Sequence, residues 1–331
     1  MRIQGKRVLV TGGAGFIGSH LVELLAIDND VTVVDDLSAG SLDNIAHIPS
    51  VLFIEGDIRE RSSIEPAVAD AEVIFHMAVV CLRVSIPDPM AAHLVNDLGT
   101  LNLLMAARAH GVERFVYCSS SEVYGTAERP AMDEGHPLNP TTPYGAGKLA
   151  GEAYSLSFEK TYGLPVTVVR PFNSYGPREH AEGASGEVIP RFVGWALAGQ
   201  PLPVFGDGRQ TRDFTWVGDT ARGIKMAAEH DPLVGRVINI ARGEEVEILR
   251  IAELIRELVA PVPIEHRDPR PGDVRRHCAD VTLARKELGY EAPIGIEEGL
   301  RRYVEWVKAQ PAQSWTAREG AANWQAEPSP V

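Results

Sequence analysis

Short runs of β-branched and other apolar residues recur along the first half of the chain, at 7–10, 31–34, 51–54, 73–76, 114–118 and 165–169. Helical stretches separate them, so the pattern predicts an α/β fold with a parallel, doubly wound sheet whose crossover helices cover both faces. A helix is expected over 94–110, with Leu94, Leu98, Leu101, Leu104 and Met105 on one face, and another from Tyr144 to about Tyr162. After Arg170-Pro171, proline and glycine become denser and the elements shorter. Residues 1–172 therefore read as the sheet domain, with 213–242 returning to it through a strand at Val237-Ile238-Asn239-Ile240. Residues 173–212 and 243–308 read as a smaller lobe over the strand ends, and 309–331, without apolar periodicity, as a flexible tail.

The first apolar run leads directly into Thr11-Gly12-Gly13-Ala14-Gly15-Phe16-Ile17-Gly18 and then into a helix start at Ser19-His20-Leu21-Val22. A strand, a tight glycine turn and a helix start in this order hold a pyrophosphate at the helix N-terminus, through free backbone N–H groups and the helix dipole. Gly12 permits the turn, Gly15 lets the backbone approach the phosphates, and Gly18 lets the helix pack on the strand. The second strand ends in Asp35, followed by Asp36, and no Arg or Lys occurs until Arg59. A carboxylate there accepts hydrogen bonds from adenosine ribose hydroxyls and repels a 2′-phosphate, so the expected cofactor is NAD rather than NADP. Asp57, closing the third strand, is a candidate acceptor for the adenine amino group or a cap for the helix that follows.

Charge narrows the class of partner. The 331 residues carry 45 acidic and 32 basic side chains, a net charge of −13 that argues against nucleic acid or an anionic membrane. Cys81, Cys118 and Cys278 lie far apart, with neither metal-ligand spacing nor a disulfide framework. The chain enters a strand without a signal peptide and has no run of membrane-spanning length, so a reduced cytoplasm is the expected home and no metal is expected.

The strand Phe115-Val116-Tyr117-Cys118 runs into Ser119-Ser120-Ser121-Glu122-Val123-Tyr124-Gly125, and Pro143-Tyr144-Gly145-Ala146-Gly147-Lys148 opens a helix. Tyr144 and Lys148 stand one helical turn apart on one face. A tyrosine serves as a base near neutrality only where a nearby cation favours its phenolate. Lys148 is expected to supply that charge and to hold the nicotinamide ribose, while a strand-end serine shares the substrate proton.

With these residues in view, the chain resembles the extended short-chain dehydrogenases/reductases of the nucleotide-sugar epimerase/dehydratase group, from about residue 5 to 308. The resemblance rests on the glycine turn, Asp35-Asp36-Leu37-Ser38, Gly56-Asp57-Ile58, His76-Met77-Ala78, the 119–125 run and the Tyr144/Lys148 pair. It continues through Arg170-Pro171-Phe172-Asn173, Gly206-Asp207-Gly208-Arg209-Gln210-Thr211-Arg212-Asp213 and Arg270-Pro271-Gly272-Asp273-Val274-Arg275. It implies a Rossmann-type domain with a C-terminal substrate-binding lobe, and NAD held by Gly12, Gly15, Phe16, Ile17, Gly18, Asp35, Asp57, Ile58, Ala78, Tyr144, Lys148 and Pro171. Tyr144 would take the sugar 4-hydroxyl proton while hydride passes to NAD, with Ser120 as the accompanying hydroxyl. Ser121, Asn173, Arg212 and Arg275 would bind the nucleotide-diphosphate sugar, since guanidinium forks match phosphate oxygens. Phe205 would stack on the nucleobase or simply fill the core. Arg191 and Arg276 read as solvated surface residues. A homodimer formed as a four-helix bundle through the two long helices is also implied.

The branch of chemistry rests on less. His76-Met77-Ala78-Val79-Val80 replaces the common His-Leu-Ala-Ala beside the nicotinamide, and Glu122 stands where many 4-epimerases carry a small residue. In the resembling 4,6-dehydratases and UDP-glucuronate decarboxylases a glutamate stands there, and in the dehydratases it removes the C5 proton. Ser121, where the thymidine-diphosphoglucose members place an aspartate, speaks against full dehydratase identity, although the resembling GDP-mannose-type dehydratases also use Ser before Glu. Glu122 otherwise reads as a carboxylate bonded to backbone N–H groups. The expectation is a nucleotide-sugar epimerase working through a transient 4-keto sugar, with dehydratase or decarboxylase as alternatives. A non-catalytic NAD-binding regulator is a rival that would not need the Ser120-Tyr144-Lys148 set.

Overall fold

The computed structural model describes residues 1–181, 186–269 and 274–310. The tail expected over 309–331 therefore lies almost wholly outside the described residues, as does Arg270-Pro271-Gly272-Asp273.

Seven parallel strands form the central sheet: β1 (Arg7–Thr11), β2 (Asp30–Asp35), β3 (Leu52–Glu55), β4 (Val73–His76), β5 (Arg114–Cys118), β6 (Val166–Pro171) and β7 (Val237–Ile240). Their order across the sheet is β7-β6-β5-β4-β1-β2-β3. β4, β5 and β6 are buried along their whole length, as strands covered on both faces must be. One face packs on helices Phe16–Leu25 and Val217–Glu229, which supply Leu21, Val22, Leu25, Ala221, Ile224 and Ala228. The other packs on Arg61–Asp70, Thr100–Ala109 and Pro143–Tyr162, through Ile64, Val68, Leu103, Leu104 and Phe158. The order reverses between β1 and β4, and a ligand crevice opens there at the carboxyl ends of the strands.

The helix expected over 94–110 departs from its pattern. Residues His93–Gly99 form a π-helical segment that leads into the α-helix Thr100–Ala109. The wider turn rotates the faces: Asn96, Gly99, Thr100, Leu103, Leu104, Ala106 and Ala107 go inward. Leu98 and Met105, expected beside Leu104, stay outside at 36% and 43% exposure. The following long helix keeps its expected span because Thr142 caps Gly145 N–H at 3.1 Å, Pro143 opens it, and Gly163 closes it in the left-handed region.

A third core belongs to the segments after β6. Helices Val188–Leu197, Ile248–Leu258 and Ile296–Ala309 gather around Tyr175, Ile189, Phe192, Leu202, Ile251, Ile255, Tyr303 and Val307. Leu202–Phe205 pairs in parallel with Ile264–Arg267, and Thr211–Asp213 antiparallel with Glu245–Glu247.

Candidate active site

A cleft of about 540 Å³ runs from the glycine turn to this third core. At its first end Gly12 takes φ 69°, and a Cβ there would meet the Ala78 nitrogen at 2.5 Å, so only glycine brings β1 this close to the end of β4. Gly15 is the N-cap of Phe16–Leu25 and contributes no side chain, which leaves the first N–H groups of that helix for a ligand. Below the turn, His76 bridges Thr11 Oγ1 and Thr100 Oγ1 at 2.8 and 2.9 Å, and burial keeps its imidazole neutral. Gly12, Gly15, Phe16, Ile17, Gly18, Asp35, Asp57, Ile58, Ala78, Tyr144, Lys148 and Pro171 all line this cleft.

Asp35 is buried at the end of β2 and accepts the N–H groups of Ala14 and Leu37 at 3.0 and 2.9 Å. Its carboxylate thus clamps the glycine turn to the next loop, where Leu37 sits at φ 57°. Burial raises its pKa against the pull of those two bonds. Asp57 does not cap the following helix, whose N-cap is Glu60; Ser63 ties the backbone of Asp57 to that helix instead. The Asp57 carboxylate receives Arg59 Nε at 2.8 Å, which holds it below the usual range. The cation of Arg59 is therefore neutralised at the adenosine end, while the Asp35 carboxylate is held by backbone N–H groups. These features suit a dinucleotide bearing free ribose hydroxyls.

Tyr144 is half-buried at the first turn of its helix, with its N–H held by Ser85 Oγ at 3.1 Å. Burial raises its phenol pKa, and the Ser120 side chain is the group that opposes this. Lys148 is buried on the same helix, one turn on; its ammonium donates to the carbonyl of Cys118 at 2.7 Å and lies 5.3 Å from the Tyr117 ring centre. Burial brings its pKa down to about 8. Beneath this pair, Glu152 accepts Ser119 Oγ at 2.9 Å and Arg170 Nε at 3.0 Å, and it bonds a second guanidinium nitrogen. Arg170 also donates to Tyr124 at 2.8 Å. One buried ion pair thus fixes the ends of β5 and β6 against the helix that carries Tyr144 and Lys148.

On the substrate side, Asn173, Phe205 and Arg212 line the cleft with Ser120. Among the described residues Asn173 Oδ1 is buried without a hydrogen-bond partner, and Arg212 is braced on the carbonyls of Thr211 and Val274 at 2.8 and 2.7 Å. Ser121 and Arg275 lie beside these residues in the chain or the lobe rather than on the cleft surface. Ser121 is buried and absent from the cleft wall. Arg275 makes a two-point contact with Asp207 at 2.7 and 3.0 Å, outside the wall. Glu122 is half-buried and also stands off the wall, and among the described residues its carboxylate receives no backbone N–H. Burial raises its pKa, opposed mainly by Arg212. Arg276 pairs with Glu245 at the surface, whereas Arg191 lies in the cleft beside Arg83, Glu187 and Trp195. No sequence spacing signalled this last group, which unites the segment after β4 with the lobe. Among the described residues no cluster of His, Cys, Asp and Glu suits a metal ion, and no helix is long and apolar enough to cross a membrane.

Residues 8–241 match the NAD dependent epimerase/dehydratase family. A dTDP-glucose 4,6-dehydratase from Actinoplanes sp. is 37% identical over 327 residues, covering 93% of this chain and 99% of that protein. The UDP-glucose 4-epimerase of Mycolicibacterium smegmatis is 37% identical over 311 residues, covering 91% and 98%. The crystal structure of Thermus thermophilus UDP-glucose 4-epimerase in complex with NAD superposes with a TM-score of 0.84 at 34% identity, covering 92% and 100% of the two chains. This chain belongs to the NAD-dependent epimerase/dehydratase family of enzymes. The cofactor of its glycine-turn cleft is NAD.

Proposed function

We propose that the enzyme epimerises a nucleotide-diphosphate sugar at C4 through a transient 4-keto sugar. The observation that carries this reading is the shared wall: Ser120, Tyr144 and Lys148 line one cleft with Asn173 and Arg212. Bound NAD supplies a hydride acceptor and, in its oxidised form, a positive charge in the cleft. Tyr144 takes the hydroxyl proton, Ser120 hydrogen-bonds the same oxygen, and Lys148 holds the ribose. Asn173 offers its buried Oδ1 to the substrate, Arg212 and Arg275 serve the diphosphate, and Phe205 serves the base. The ketone then turns over, its other face regains the hydride given up in the first half, and Tyr144 returns the proton to the oxygen. The three free cysteines suit a reduced cytoplasm.

A second reading, 4,6-dehydratase, is favoured by Glu122 itself. A half-buried carboxyl with raised pKa, bonded to no backbone N–H among the described residues, is available to remove a C5 proton. Incubation with UDP-, GDP-, dTDP- and ADP-sugars decides between them. Unchanged product mass with a new retention time is expected; loss of water establishes the dehydratase, and loss of carbon dioxide a decarboxylase. In deuterated water the epimerase product carries no deuterium at C5, and Glu122→Gln loses little activity.

A further inference from the structure

We propose that Arg191 binds an anionic oxygen group of the nucleotide sugar and that Arg83 keeps it available by holding Glu187. This rests on the nucleotide-sugar reading above. Arg191 projects from the first turn of Val188–Leu197 into the cleft, its guanidinium carbon 5.2 Å from the Trp195 ring centre. Among the described residues it makes neither a hydrogen bond through its guanidinium nor an ion pair within 4.0 Å. Among the described residues the carboxylate that acts on its charge is Glu187, the N-cap of the same helix. Glu187 is fully engaged by Arg83, which reaches from the segment after β4 and donates at 2.6 and 2.8 Å to its two oxygens. A bidentate pair uses the best lone-pair directions of a carboxylate. Arg191 is thereby left as a half-buried cation stacked on an indole, inside the binding cleft of an acidic protein.

That arrangement has a cost and a use. Burial and the like charge of Arg83 both weaken the hold of Arg191 on its proton. An anionic ligand removes this penalty on arrival, so the charge attracts oxygen anions more strongly than a solvated surface arginine would. Two groups of a nucleotide sugar offer such oxygens: the diphosphate, common to all of them, and a carboxylate on the hexose.

The test is calorimetric titration of the NAD-loaded enzyme with UDP, dTDP, UDP-glucose and UDP-glucuronate. Arg191→Gln, which keeps the stem over Trp195, is expected to weaken binding roughly 10- to 100-fold. Arg191→Lys, retaining charge, should recover part of that loss, and Glu187→Gln should bind at least as tightly as wild type. Loss for all four ligands assigns the contact to the diphosphate; loss confined to UDP-glucuronate assigns it to the sugar carboxylate. Unchanged affinity in Arg191→Gln, with wild type binding, overturns this proposal alone. A wild type that binds none of the four, and neither GDP nor ADP, overturns both it and the reading it rests on. Thermal unfolding of each variant identifies a fold defect, and a Gln variant that melts like wild type yet binds weakly supports the contact.

Discussion

The ammonium of Lys148 sits 2.7 Å from the carbonyl oxygen of Cys118, the last residue of β5 before the serine run. The bond ties the catalytic helix to the strand end, and burial there lowers the proton affinity of the lysine.

Lys148 should impose a descending limb on the pH profile. Burial lowers its pKa from 10.5 to about 8, so the charged form is lost as pH rises through that value and turnover should fall with it. An unfolded chain keeps this proton to higher pH, so it binds more protons than the folded state between about 8 and 10.5. The lysine's contribution to stability therefore rises with pH across that window. Urea unfolding should show the wild type gaining on Lys148→Met over this range, and initial rates should show the limb vanish in the variant.

Tyr144→Phe should lower the C4 oxidation rate by roughly 10²- to 10⁴-fold while leaving NAD bound, because only the proton acceptor is lost. Ser120→Ala removes the group that opposes the upward shift of the phenol, so its activity should require higher pH than wild type. Single-turnover absorbance of reduced NAD reads both effects.

Asp35→Ala should weaken NAD binding and release two backbone N–H groups, those of Ala14 and Leu37. Each released buried donor costs about 1–3 kcal/mol, so the melting temperature should drop as well. Fluorescence titration of apoenzyme with NAD and with NADP measures the first effect. Unchanged NAD affinity would overturn the ribose assignment.

Glu152→Met strands a buried guanidinium. Removing one partner of such a pair costs about 3–5 kcal/mol, and replacing both partners by apolar residues of similar volume recovers much of it. Chemical denaturation of Glu152→Met, Arg170→Met and the double Met variant should show this non-additivity.

The outward faces of the two long helices carry Leu98, Met105 and Tyr154 at 36%, 43% and 39% exposure. We propose that a second copy covers them. Met105→Glu should shift sedimentation at micromolar concentration from dimer to monomer, and a wild type that is monomeric there would refute the four-helix bundle.

Much of the sheet was legible because β4, β5 and β6 are buried on both faces and so read as unbroken apolar runs. The glycine turn was legible for a related reason: only glycine tolerates the approach to Ala78. The π-helical segment was not, since a wider turn leaves composition unchanged and only redirects faces. Neither was the direction of Lys148, whose spacing from Tyr144 fixed a shared helix face but not the acceptor its ammonium would find. Arg83, Glu187 and Arg191 escaped for want of any local pattern, their proximity being a product of tertiary approach. The partner of Arg275 was hidden too, since Asp207, which it contacts through two nitrogens, lies far off in sequence.

The late return of the chain to the sheet constrains its birth on the ribosome. Helix Val217–Glu229 covers Phe16–Leu25, β7 closes the edge of β6, and the amino terminus donates to Glu229 O at 2.9 Å and to Asp231 at 2.6 Å. A nascent chain that has just delivered the glycine turn and the catalytic helix still exposes the apolar face of its first helix and the open edge of β6. Both stay uncovered until the segment through Ile240 emerges, so the sheet cannot reach its final form before residues 172–236, which lie between β6 and β7, have been synthesised. The interval is a window for aggregation or chaperone capture, set by the order of elements rather than by any single weak contact.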